Sequence, residues 1–188
     1  MSEVLRSQIK ALIDISDDEF NYILSHFKPK KLKKHQFLLA EGEQVPYDFF
    51  VTKGLLKSYY QPPASDKEHI LQFAWEHCWI TDYHAHFNNA LSTLYLNCIE
   101  DVEVLCLSLS NREKLCAEMH KIDQFFRKKS NAGYVALQRR ILSLITKSAQ
   151  EKYEQMIKDY PNLIQRVPKS YLASYLGVSR ESLSRLTK

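Results

Sequence analysis

The sequence predicts an α+β chain built as a β-rich unit, a long helix and a small all-α unit, in that order. Three observations carry this reading. From His35 to Leu109 the chain is a series of short apolar or alternating runs rich in aromatics, "QFLLA", "DFFVT", "LLKSYYQ", "HILQFAW", "LYLNCI" and "EVLCLSL", each of strand length. Beyond Ile122 the apolar residues Ile122, Phe126, Leu137, Ile141, Leu144 and Ile145 recur at helical spacing. Finally, "VPKSYLASYLGVSRESLSRL", Val167 to Leu186, sets two short amphipathic segments around one glycine.

Taken in order, Val4 to Ile13 reads as a helix. Ser16 with Glu19 three residues later is a capping box that opens a second helix, with Phe20, Ile23, Leu24 and Phe27 on one side. The basic run "KPKKLKK", Lys28 to Lys34, reads as a solvated turn before the first strand. Glu41-Gly42-Glu43, Lys53-Gly54, Pro62-Pro63, the Asn88-Asn89 region and Glu100-Asp101 punctuate the β-rich unit. Six or more short strands joined by turns imply a sandwich or barrel. Ser110 with Glu113 reads as another capping box, and Lys121 to Tyr160 as one long helical segment ended by Pro161. Asn162 to Pro168 then reads as a linker.

With 188 residues, 45% of them hydrophobic, the chain has ample apolar material for a packed core. No apolar run approaches the roughly 18 residues that span a bilayer. The start "MSEVLRSQIK" is charged and lacks the apolar core of a signal peptide. A cytoplasmic protein without a membrane partner is the expectation. Cys78, Cys98, Cys106 and Cys116 are scattered without a C-x-x-C pair, which predicts free thiols rather than a disulfide framework or a zinc or iron–sulfur site.

The formal net charge of +4 is concentrated at one end. From Arg166 onward Arg166, Lys169, Arg180, Arg185 and Lys188 face a single acid, Glu181, while the first 165 residues hold 21 basic and 21 acidic groups. Such local excess points to a polyanion.

The terminal stretch has helix-turn-helix spacing. Pro168 suits the first turn of a helix with Leu172 and Ala173 inward, Gly177 supplies the positive φ of a tight turn, and Ser179 caps the next helix. At about 100° per residue from Arg180, Ser184 falls near 40°, Lys188 near 80°, Glu181 near 100° and Arg185 near 140°. Leu183 and Leu186 fall near 300° and 240°, on the opposite side. One face thus presents Arg, Glu and Ser to a major groove. Arg180 and Arg185 suit guanine O6 and N7, and Glu181 can accept from a cytosine amino group. Ser170, Ser179 and Lys188 suit phosphate, and Ser184 shares the reading face.

These residues resemble a known family, the Crp/Fnr transcription regulators. Its recognition signature S-R-E-x-x-x-R stands here as Ser179, Arg180, Glu181 and Arg185. "FLLAEGEQVPYDFFVTKGLLKSYY" looks like the opening strands of the family's cyclic-nucleotide-type β-roll, and "CIEDVEVLCLS" like its closing strands. The resemblance runs from about Phe20 to the end. It implies a double-stranded β-helix or jelly-roll sensor over 1–120, a dimerisation helix region over 121–146 and a DNA-binding unit over 147–188. By the same resemblance the protein is bacterial and homodimeric, binds double-stranded DNA, and has RNA polymerase as a partner.

Two departures from the family matter. Where its cyclic-nucleotide binders have Gly-Glu opening the phosphate cassette and Arg-Ser closing it, this chain has Thr81-Asp82 and Ser92-Thr93. Loss of the arginine removes the bidentate partner of a cyclic phosphate, and an aspartate would repel it, so cyclic AMP is not expected as the effector. Trp79, Thr81, Asp82, Tyr83, Ser92 and Thr93 are the effector-pocket candidates, for an unidentified small molecule or for filling by Trp75, Trp79, Tyr83 and Phe87 themselves. The sequence also ends at Lys188, directly after the recognition helix, so the β-hairpin wing of many members is not expected.

Other constellations lead elsewhere with less support. His69, His77, His84 and His86 crowd the stretch around Cys78 and Asp82, with His84-x-His86 on one side of a strand. They read as surface and pocket-lining histidines rather than metal ligands. Cys78 beside His77 on a strand would point to the opposite face, so no catalytic residue and no enzyme is expected. The alternative kept open is a ligand-binding or protein-interaction module with a vestigial helix-turn-helix.

Overall fold

The structure, a computed structural model, describes residues 2–186. Helices α1 (Ser2–Lys10) and α2 (Asp17–Ser25) come first. Ser16 caps α2 as expected: its hydroxyl accepts from the Glu19 amide, and the Glu19 carboxylate accepts from the Ser16 amide at 2.7 Å.

Eight strands follow: β1 (Phe27–Leu32), β2 (Phe37–Leu39), β3 (Tyr47–Lys53), β4 (Leu56–Tyr60), β5 (His69–Ala74), β6 (Trp79–Ile80), β7 (Tyr95–Cys98) and β8 (Val102–Ser108). They form two four-stranded antiparallel sheets, in the orders β1-β8-β3-β6 and β2-β7-β4-β5. Between the sheets lie Leu38, Val51, Leu56, Ile80, Leu96 and Val104. Gly54 makes the crossing from β3 in one sheet to β4 in the other possible. It sits at φ +90°, and a Cβ there would stand 2.2 Å from the Asp101 carbonyl oxygen.

The helical part is α3 (Tyr83–Asn88) between β6 and β7, then α4 (Leu109–Glu118), α5 (His120–Thr146), α6 (Ala149–Asp159), α7 (Pro161–Arg166), α8 (Lys169–Leu176) and α9 (Arg180–Leu186). Two further cores tie these to the sandwich. In one, Leu5, Ile9, Phe20 and Ile23 meet Phe50, Trp79, Leu115, Ile122, Phe125 and Phe126. In the other, Leu55, Ile70, Phe73 and Ile99 of the β-roll meet Met156, Leu163, Leu172, Leu176 and Leu183 of the terminal helices.

Several expectations are corrected. The basic run is a turn only at its end: Phe27–Leu32 is an edge strand paired with β8, with Phe27 and Leu32 buried and its lysines exposed, and Lys33 and Lys34 lie in the turn that follows. Pro29 is tolerated because it lies on an edge strand, and the lysines guard that edge. Ser108, not Ser110, caps α4, since its hydroxyl at the end of β8 reaches the Asn111 amide at 3.2 Å. The segment Lys121 to Tyr160 is not one helix. Lys147 is extended, and Ser148 opens α6 through a capping box with Glu151, the same signal as at Ser16. Pro161 opens α7 rather than merely ending a helix, and Asn162 to Arg166 of the expected linker lie in that helix, leaving Val167 and Pro168 between α7 and α8. His84 and His86 sit on α3, not on a strand, and His77 and Cys78 lie in the turn before β6, with His77 at φ +71°.

The four cysteines are free. Cys98 and Cys106 are buried, which pushes each thiol up to about 11, while Cys78 and Cys116 are half-buried. Among the described residues no helix is long and apolar enough to cross a membrane, and no group of three or more His, Cys, Asp or Glu is placed to hold a metal ion.

Candidate DNA-reading face and sensor cassette

The reading unit is assembled from its buried side. Leu172, Ala173 and Leu176 of α8 and Leu183 of α9, 1% exposed, pack on Met156, Leu163 and Val167. Gly177 turns the chain at φ +70°, donating to the Ser174 carbonyl at 3.1 Å, and the Val178 amide donates to the Ala173 carbonyl at 3.0 Å. Ser179 then accepts from the Ser182 amide at 3.1 Å and fixes the start of α9.

This leaves Arg180, Glu181, Ser184 and Arg185 outside, around one open hollow of about 380 Å³. The Glu181 carboxyl is held below its ordinary range, first by its own backbone amide and then by the Ser179 hydroxyl, and by Arg180 and Arg185. It is an acceptor at neutral pH. Ser170 is exposed in the first turn of α8. Lys188 lies outside the described residues.

The candidate cassette is a knot of internal hydrogen bonds around Asp82, which is 3% exposed. Its Oδ1 caps α3 by accepting from the Ala85 amide at 3.1 Å. Its Oδ2 accepts from the Ser92 hydroxyl at 3.2 Å, the Thr93 amide at 3.0 Å and the Thr93 hydroxyl at 3.3 Å. Burial pushes this carboxyl up, but those donors outweigh it and hold it below the usual carboxylate range. Thr81 is buried beside it, donating to the Tyr47 carbonyl at 2.9 Å. The structure therefore brings Thr81, Asp82, Ser92 and Thr93 together.

Trp79 is elsewhere. Its ring lies against Phe50 and Phe126 at 5.2 and 5.7 Å between centroids, and its Nε1 donates to Gln8 at 2.7 Å. Tyr83 stacks on Phe87 and turns its hydroxyl toward Asp48. Asp48 is the opposite of Asp82: buried, with Oδ1 lacking any partner. Desolvation pushes its carboxyl up to about 7 against the pull of Arg112, the Phe49 amide, Tyr83 and Lys129.

Sequence reasoning placed Arg166 with the DNA-attracting charge, and the structure corrects this. The guanidinium donates to both oxygens of Glu100, at 2.9 and 2.7 Å, and to both of Glu76, at 3.0 and 3.3 Å. Its charge is neutralised at the seam between β-roll and terminal helices. Three more side chains hold the seam. Lys57, 1% exposed, pairs with Glu68 and sits 3.8 Å from the Tyr171 ring centroid. Arg140 of α5 donates to the carbonyls of Ile70 and Tyr175 at 3.2 and 3.0 Å. Ser174 of α8 accepts from the Ile70 amide at 3.1 Å and donates to the Glu68 carbonyl. The partners of Arg140 and Ser174 are 35 to 106 residues away in sequence, so no local pattern announces them.

No family model matches the chain, and no curated protein matches it in sequence. Solved structures do. FixK2 of Bradyrhizobium japonicum aligns with a TM-score of 0.73 at 17% identity, over 86% of this chain and 82% of its own. CLP of Xanthomonas campestris, described as a c-di-GMP responsive global regulator, aligns at 0.73 and 13% identity, over 91% and 89%. A CooA mutant from Carboxydothermus hydrogenoformans aligns at 0.71 and 19% identity, over 88% and 77%. The chain has the fold of these Crp/Fnr-type regulators, as its sequence resemblance implied.

Proposed function

We propose that the protein is a homodimeric, sequence-specific DNA-binding transcription regulator of the Crp/Fnr type, acting in the bacterial cytoplasm and without enzymatic activity. One observation carries the proposal: a helix-turn-helix buries Leu183 and turns Arg180, Glu181, Ser184 and Arg185 outward from one short helix. Arg180 and Arg185 read guanine edges bidentately, Glu181 accepts from cytosine N4, and Ser184 completes the face. Ser170, Ser179 and Lys188 contact phosphate and set the register without reading sequence.

Dimerisation uses the distal part of α5, where Tyr134, Leu137, Ile141, Leu142 and Ile145 are exposed on one chain. Two linked readers then add their contacts, which one reader of seven residues cannot supply alone. The sensor is the β-roll, and its state sets the dimer helix and hence the spacing of the readers. RNA polymerase is the downstream partner by resemblance to the family.

Cyclic AMP is not the effector. The donors of Ser92 and Thr93 are already engaged by Asp82, and a second anion there meets an ionised carboxylate. A calorimetric titration is expected to give no heat of tight cyclic AMP binding; micromolar binding would refute this assignment.

The test of the DNA-reading role is equilibrium binding to an operator and to random duplex over a range of salt. Operator affinity is expected to fall steeply with ionic strength. Arg180→Ala and Arg185→Ala should each lose about 1–3 kcal/mol of discrimination at particular base pairs. Equal affinity for operator and random duplex would instead support an interaction module with a vestigial reader.

A further inference from the structure

We propose that Arg166 is a positioning residue for DNA reading: it seats the helix-turn-helix on the β-roll and so fixes the separation of the two reading helices in the dimer. This rests on the dimeric DNA-reading role proposed above.

Arg166 is the last residue of α7, two residues ahead of Pro168, which caps α8, and three ahead of the first residue of that helix. Its two acidic partners come from different turns at the same end of the β-roll. Glu76 lies between β5 and β6, and Glu100 between β7 and β8. A third turn joins through Glu76, whose Oε1 also accepts from the Gly54 amide at 2.8 Å. One guanidinium thus gathers three β-turns against the entry to the reading unit. Two carboxylates on one cation leave the cluster without positive charge for DNA, so its geometry serves the seam rather than phosphate attraction.

The other polar seam contacts lie within α8 itself: Lys57 of β4 stands over the Tyr171 ring. Ser174 and Arg140 fasten the middle and end of α8 to β5 and α5, while Arg166 fastens the entry to that helix. Removing the guanidinium leaves Glu76 and Glu100 facing each other without their shared cation, and like charges at that distance push the turns and α7 apart. In a dimer joined through distal α5, a reader free to tilt on its own β-roll no longer holds one distance from the two-fold axis. Base reading within each half-site is untouched, because Arg180, Glu181 and Arg185 are not part of the seam.

The test is a selection from duplexes carrying two half-sites with variable spacers, run on the wild type, Arg166→Ala and the swap Arg166→Glu with Glu100→Arg. In the swap a guanidinium again stands between two carboxylates, now those of Glu76 and of residue 166. The wild type is expected to select one spacing, Arg166→Ala the same half-site bases over several spacings, and the swap one spacing again. A single unchanged spacing with Arg166→Ala would overturn the inference. If the wild type selects no repeat, the DNA-reading role has failed, and amide exchange without DNA still decides the seat. Arg166→Ala should then lose protection across Lys169–Leu176 while β1 and β8 keep theirs, and the swap should restore it. Unaltered protection of α8 in Arg166→Ala would refute the positioning role.

Discussion

The long helix α5 treats its apolar residues in opposite ways along its length. Its first two turns bury Ile122, Phe125 and Phe126 against Trp79, Phe50 and the two N-terminal helices. Its distal half leaves Leu137, Ile141, Leu142 and Ile145 outside, the last 77% exposed. The periodicity is the same in both halves. What differs is the neighbour: the proximal half packs on the β-roll, while the distal half touches β5 and the reading unit on one side only, through Arg140 and Leu144 near Gly177. The comparison teaches that a helical stripe gives the existence of a packing partner but not whether that partner is the same chain. A contiguous apolar face of this kind is the surface that the proposed dimer would cover.

The largest effect that could break the comparison is on association. Leu137→Glu together with Ile141→Glu should abolish the dimer in sedimentation while circular dichroism and the thermal transition of the β-roll persist. A dimer that survives both charges would place the interface elsewhere. On the proximal half, Phe126→Ala removes a ring 7% exposed, packed on Trp79 and beneath Arg112. It should lower stability in urea by about 3–5 kcal/mol, and a loss under about 1 kcal/mol would contradict the account of that core.

A smaller effect sharpens the same contrast through pH. Asp48 lies under the proximal half, with Lys129 of α5 and Arg112 of α4 acting on it. Its folded carboxyl titrates near 7 against an ordinary value of 3.8. The folded chain therefore holds a proton that the unfolded chain has released, and stability falls as pH rises from about 4 to about 7. Asp48→Asn should flatten that slope, which amounts to a few kcal/mol at most, roughly 1.4 per pH unit. Asp82 has the opposite sign: its lowered carboxyl contributes stability that is lost as pH falls through its folded value. Urea titrations across pH 4–8 on the wild type and Asp48→Asn check this, and an unchanged slope in the variant would contradict it.

Much of the fold was legible because its signals are local. Alternation gave the strands, the Ser16–Glu19 box gave α2, and Gly177 with Ser179 gave the turn and cap of the reading unit. The break at Ser148 was equally local and was missed beside the stronger periodicity running through it. Pro29 and three lysines hide an edge strand, since edge strands tolerate what interior strands exclude. The reading face follows from angular spacing alone. The seam does not: Arg166 reads as one more terminal cation until Glu76 and Glu100 are seen beside it. Likewise Asp82 and Thr93 are adjacent only through the loop that closes after α3.

The most direct measurement of the central claim is a selection of random duplex DNA on the purified protein, repeated with Arg185→Ala. An enriched inverted repeat, with half-sites about one helical turn apart and altered at defined base pairs by the substitution, is the predicted result. No enriched repeat, or a repeat indifferent to Arg185→Ala, would contradict a dimeric reader built on α9.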